Sequence, residues 1–226
     1  MTLETLELQT PAEPSASLIV LHGLGADGSD FVPVCEALDL GPLLAQGGGL
    51  RCVLPNAPVM PVTINGGYRM PAWYDIRGTA LDRQEDEAGL RASQQAIEAL
   101  IAREIERGIP ASRIVLMGFS QGCAMALMTG LRHPERLAGI IGLSGYLPLL
   151  PSTAAERHPA NADLPIFLAH GLRDPVVPLE RAHAARAELE RLGYAPEWHD
   201  YPMEHSLCNE EVADLNAWLL RVLAPA

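Results

Sequence analysis

Five short apolar runs recur along the chain: SLIVL (17–21), LRCVL (50–54), RIVLMG (113–118), LAGIIGLSG (137–145) and PIFLAHG (165–171). They are near-continuously apolar, as strands covered on both faces are. The segments between them read differently. In 84–107, Leu90, Ile97, Leu100, Ile101 and Ile105 fall on one stripe at helical spacing, and Gly108 and Pro110 close the segment. QGCAMALMTGLRH (121–133), residues 179–192 before Gly193, and residues 208–223 are read as further helices, with Val212, Leu215, Trp218, Leu219 and Val222 on the buried side of the last. Strands alternating with helices predict βα units, hence a mostly parallel central sheet with helices on both faces. LETLEL (3–8) reads as an edge strand, 31–40 as a short helix, PEWHDY (196–201) as the last strand, and 55–79 and 145–163 as irregular. In such sheets ligands bind beyond the carboxyl ends of the strands, so the chemistry is sought just after each run.

The chain has 226 residues, a length that suits one domain spanning 1–226. Its 16 Lys and Arg against 28 Asp and Glu give a net charge of −12. That balance argues against nucleic acid as a partner and against stable association with an anionic membrane. No apolar stretch approaches the length of a transmembrane helix, and MTLETLELQT lacks the apolar segment of a signal peptide, so a cytoplasmic location is expected. Cys35, Cys52, Cys123 and Cys208 form no CxxC pair and read as small buried hydrophobes. No metal is expected, because no HxxxH, HExxH or paired-cysteine pattern occurs. No phosphate loop or dinucleotide fingerprint is present either, and no cofactor is expected.

Gly118-Phe119-Ser120-Gln121-Gly122 is a GxSxG string lying between a predicted strand and a predicted helix. In that setting a sharp turn exposes the serine hydroxyl, and the glycines relieve crowding where strand and helix meet. The N–H of Gln121, at the helix start, faces developing negative charge. A serine needs a base, and the base an orienting carboxylate. Asp174 follows PIFLAHG, 54 residues after Ser120, and His205 follows PEWHDY, 31 residues after Asp174. His22-Gly23-Leu24-Gly25 follows the first apolar run, and its Leu24 N–H is placed to serve as the second oxyanion donor. His22 and His170 read as loop-ordering residues; His133, His158 and His183 read as surface residues.

Taken together, HGLGADGSDF, NAPVMPVTINGGYRMPAWYDI, GFSQGCAMAL, HGLRDPVVP and WHDYPMEHSLC resemble the carboxylesterase, lysophospholipase and acyl-protein thioesterase family of small α/β-hydrolases. The similarity covers nearly the whole chain. It implies an α/β-hydrolase fold without a separate cap domain, a nucleophile at Ser120, an acid at Asp174, a base at His205, and oxyanion donors at Leu24 and Gln121. It also implies that Met70 and Trp73 help wall the acyl pocket. Two positions depart from the family pattern. Glu204 replaces a frequent Gly and is expected to point to solvent. Cys123 replaces a second Gly and is expected to narrow the floor beneath the nucleophile.

The expected activity is hydrolysis of small-molecule carboxylic esters with small to medium acyl chains, through an acyl-enzyme. Thioester or lysophospholipid hydrolysis by the same residues is the alternative, and a non-catalytic binding role a remote one. Any cover over an open, shallow site is expected to come from loops, chiefly residues 55–79. Leucines in YLPLLPSTAAERHP, read as exposed, suggest a possible homodimer.

Overall fold

A computed structural model describes residues 2–78 and 85–224. Seven strands form one sheet in the order β1-β3-β2-β6-β7-β8-β9. They are β1 (Thr5–Gln9), β2 (Ala16–Leu21), β3 (Leu50–Pro55), β6 (Ile114–Phe119), β7 (Gly139–Leu143), β8 (Ile166–Gly171) and β9 (Glu197–Tyr201). Only β1 runs antiparallel, pairing Leu6 with Leu54 at the edge. The other neighbours are parallel, for instance Ile19 beside Leu116 and Leu116 beside Ile140.

The inner strands β2, β3, β6, β7 and β8 feed two cores in alternation, which is why their sequences are nearly all apolar. From β2, Ile19 and Leu21 enter the core under α3 (Glu87–Glu106), α4 (Gln121–Arg132) and α6 (Leu179–Arg191). Leu18 and Val20 enter the opposite core, under α1 (Val32–Ala37), α2 (Gly41–Ala45) and α7 (Asn209–Val222). The predicted helix start at Gln84 lies outside the described residues.

Two segments read as irregular carry structure. Within 55–79, β4 (Val59–Val62) and β5 (Tyr68–Pro71) pair as an antiparallel hairpin. Gly66 and Gly67 take φ of 65° and 81° at its tip, a left-handed turn open to glycine at no steric cost. Asp75 fastens the hairpin by accepting from the backbone N–H and hydroxyl of Thr63, each at 2.7 Å. Within 145–163, α5 (Leu150–Glu156) forms, and Arg91 and Arg132 both donate to Glu156 at its end. Leu147 is buried there, and Leu149 and Leu150 pack against the core, so the exposed leucines expected to favour a dimer are not exposed.

Candidate active site

The Ser120 turn is built by close approach. A Cβ on Gly118 would lie 2.1 Å from the Gly122 carbonyl oxygen, and one on Gly122 would lie 2.0 Å from that of Leu21. Only glycine lets β2, β6 and α4 come this near. Ser120 itself has φ 55° and ψ −115°, a conformation that costs a side-chain-bearing residue about 1–3 kcal/mol. Its N–H donates to the Leu143 carbonyl at 2.9 Å, which holds the turn to β7.

The loops after β8 and β9 are tied together by backbone. Leu172 N–H donates to Tyr201 O and Arg173 N–H to Met203 O. A Cβ on Gly171 would lie 2.3 Å from Glu204 O, so glycine is required where β8 meets the second loop. This pairing brings Asp174 and His205 face to face. His205 Nδ1–H donates to Asp174 Oδ2 at 2.6 Å, and Ser120 Oγ–H donates to His205 Nε2 at 2.9 Å. The Asp174 side chain is inaccessible to solvent, and its Oδ1 accepts from the N–H groups of Val176 and Val177 at 2.8 and 2.9 Å. The carboxylate is therefore fixed from both sides, and the imidazole is held as the tautomer with Nε2 free to accept. The Phe119 ring packs against that of His205, with centroids 4.7 Å apart.

The two other site histidines order loops. Ala57 N–H donates to His22 Nε2 at 3.0 Å, so Nδ1 carries the proton and donates to Gly23 O at 2.7 Å. His170 Nε2–H donates to Val177 O at 2.9 Å, beneath the Asp174 loop. Burial lowers the pKa of both rings and favours the neutral form.

A cleft of about 310 Å³ opens beside Ser120 and is lined by Leu24, Gln121, Tyr74, Tyr146, Val177 and Arg181, among others. Gln121 is the first residue of α4, so its N–H has no partner within the helix. Leu24 stands in the loop after β2, where Gly23 approaches the Ser120 side chain. Both expected oxyanion donors thus border the same cleft as the hydroxyl.

Trp73 is a correction. Its ring is buried rather than on the cleft wall, because the indole N–H donates to the His22 carbonyl at 2.9 Å and draws the ring into the core. Met70 does not line the cleft either. Its sulfur accepts from Asn65 Nδ2 and lies close to Gly25. The neighbouring Tyr74 lines the wall instead, and its hydroxyl meets that of Tyr146 at 2.6 Å. Sequence reasoning also missed the Gln121 side chain. It accepts from Trp73 N–H and donates to Tyr74 O, both at 2.7 Å, clamping the 72–74 segment to the Ser120 turn. The signal was a long amide in a motif position with no requirement for one.

Glu204 is exposed, as expected. Cys123 packs under the turn against Gly145, where a Cβ would lie 2.4 Å from its own. Burial pushes its thiol up to about 12, which keeps it protonated. All four cysteines are free, and Cys208 is only half-buried. His133 is buried, contrary to its reading as a surface residue. Among the described residues no group of three or more His, Cys, Asp or Glu is placed to hold a metal, and no helix is long and apolar enough to cross a membrane.

The parallel sheet, the antiparallel edge strand and the serine on a strand-to-helix turn define an α/β-hydrolase fold. Comparison with known proteins narrows the class. The sequence pattern described as Phospholipase/Carboxylesterase matches residues 3–223, so the chain belongs to that family of hydrolases. It is 41% identical over 237 residues to acyl-protein thioesterase 1 of Mycosarcoma maydis, covering 98% of each chain. Among solved structures, Zea mays acyl-protein thioesterase 2 superposes with a TM-score of 0.86 at 26% identity, covering 98% of this chain and 99% of that one. Esterase PE8 superposes with a TM-score of 0.80 at 28% identity, covering 99% and 100%.

Proposed function

We propose that the protein is a serine acyl hydrolase that cleaves acyl thioesters and, by the same chemistry, carboxylic esters. The observation that carries this reading is the continuous hydrogen-bonded line Ser120–His205–Asp174 at 2.9 and 2.6 Å. Ser120 attacks the acyl carbon while His205 Nε2 takes its proton. Asp174 orients the ring and stabilises the imidazolium. The Leu24 and Gln121 N–H groups receive the tetrahedral oxyanion, each donor contributing about 10²–10³ in rate. His205 then protonates the departing thiol or alcohol, and water, activated by the same ring, releases the acid.

The expected preference was for small and medium esters. The thioesterase names of the full-length relatives favour the thioester reading over it. In this reading the substrate is small or presented on an exposed surface, and the protein works without cofactor in the cytoplasm. Acyl N-acetylcysteamine thioesters and the matching 4-nitrophenyl esters, compared chain length by chain length, test it. Turnover of both that disappears in Ser120→Ala is the expected result. Turnover of the esters alone would return the assignment to a carboxylesterase. Turnover that survives Ser120→Ala would remove Ser120 from the mechanism.

A further inference from the structure

Among the described residues that line the cleft, only Arg181 carries a formal charge. Its guanidinium carbon sits 3.4 Å from the centre of the Tyr146 ring. Tyr146 meets Tyr74, and Tyr74 is held by Gln121 beside the nucleophile, so the cation rests on a platform joined to the Ser120 turn.

Among the described residues no ion pair accounts for an arginine there. Arg181 stands in the first turn of α6, where the helix dipole disfavours a cation. Two other arginines of α6 find carboxylates: Arg186 pairs with Glu190 and Arg191 with Glu188, both at 2.7 Å. In a chain of net charge −12, no carboxylate among the described residues pairs with Arg181. A guanidinium lying this close over a ring keeps its N–H donors in its own plane, free for a planar, bidentate acceptor.

The direction of the reaction says which half of a substrate meets it. His205 must hand its proton to the leaving atom, and His205 is not among the residues lining the cleft. The leaving group therefore departs past His205, and the acyl group runs along the cleft, between the apolar Val176–Val177 wall and the tyrosine pair. We propose, on the basis of the hydrolase reading above, that Arg181 is a specificity-determining residue that selects acyl groups ending in a carboxylate.

The test compares three N-acetylcysteamine thioesters of similar length: adipoyl (anionic), hexanoyl (neutral) and 6-trimethylammoniohexanoyl (cationic). The readout is the ratio of kcat/KM values within each protein, which a general loss of folded enzyme does not change. The wild type is expected to favour adipoyl over hexanoyl. Arg181→Gln is expected to lower that ratio about 10–100-fold, mainly through KM, as loss of a charge-assisted hydrogen bond does. Arg181→Glu is expected to shift the preference to the cationic thioester, a gain that misfolding cannot produce. An adipoyl-to-hexanoyl ratio in Arg181→Gln within twofold of wild type overturns the inference. Hexanoyl turnover that depends on Ser120 leaves the hydrolase reading standing in that case. Absence of Ser120-dependent turnover on all three substrates overturns that reading first, and the inference with it.

Discussion

The two ends of the sheet each bury a carboxylate, and they do different things with it. At the carboxyl end Asp174 faces His205. At the amino end Glu104, on α3 and fully buried, accepts from Arg51 at 2.9 Å, Ser17 at 3.0 Å and Arg107 at 3.0 Å. Both carboxylates are saturated with donors, as burial demands. The difference lies in the partners. Arg51 and Arg107 can only donate, so the Glu104 cluster is a fixed joint between β2, β3 and α3. In the proposed mechanism His205 takes a proton from Ser120 and hands it on, so the same kind of pairing becomes a device for moving one. Burial of a carboxylate is thus common to both ends, and the partner decides whether it serves cohesion or reaction.

The comparison breaks most visibly at Asp174. Asp174→Asn keeps the size and the acceptor for the Val176 and Val177 N–H groups. It offers His205 an amide N–H, which favours the tautomer whose Nε2 cannot accept from Ser120. A fall in kcat of about 10⁴ is expected, with circular dichroism unchanged. A fall of less than tenfold would mean that Asp174 does not set the tautomer. At the other end, Glu104→Gln removes the charge that neutralises buried Arg51. It is expected to cost about 3–5 kcal/mol of unfolding free energy in denaturant titrations, and to leave kcat per folded molecule alone. A large fall in kcat with little change in stability would erase the proposed division between the two ends.

Why one end was more legible in sequence than the other follows from how each is held. Ser120 and Asp174 follow apolar strands, His205 follows the last strand, and glycine marks the crowded turns, so all three stand at strand ends, where the pattern directs the search. The Glu104 joint leaves no such mark, because its members come from three distant segments and each looks like a surface charge on its own. The β4–β5 hairpin was hidden by its prolines: Pro61 and Pro71 sit in strands only four residues long, outside the main sheet, where a missing N–H is tolerated. The wall position of Trp73 was implied by the resemblance alone, while its place in the core is fixed by packing and by the His22 carbonyl, which only the folded backbone supplies.

A third buried carboxylate sharpens the rule by lacking a partner. Glu211, in the first turn of α7, is inaccessible to solvent, and neither oxygen closes a hydrogen bond of normal geometry. Burial pushes it up to about 8, against a weaker downward pull from the Cys208 N–H. A carboxyl whose pKa is raised on folding stabilises fully below its unfolded value near 4.5, and that contribution is lost as pH rises toward 8. Wild type is therefore expected to lose stability, on the order of 3 kcal/mol, between pH 5 and pH 8 from this group. Glu211→Gln should flatten that slope in urea titrations run at each pH. An unchanged slope would show that Glu211 is paired in the folded protein, like the other two.

The smallest effect is expected at Ser120, and it opposes the loss of activity. Its left-handed backbone, φ 55°, is strained for any residue with a Cβ and easy for glycine. Ser120→Gly should abolish turnover and yet raise the unfolding free energy by about 1 kcal/mol, because relief of strain outweighs the added freedom of glycine in the unfolded chain. Ser120→Ala removes the same hydroxyl but keeps the Cβ and its strain, so it should be equally inactive without the gain. The pair separates the two contributions that one serine makes. A glycine variant no more stable than the alanine variant would mean that the turn is relaxed and that the carboxyl end stores nothing. A glycine variant that is more stable would show that this end of the sheet gives up cohesion to hold a hydroxyl outward, while the Glu104 end gives up none.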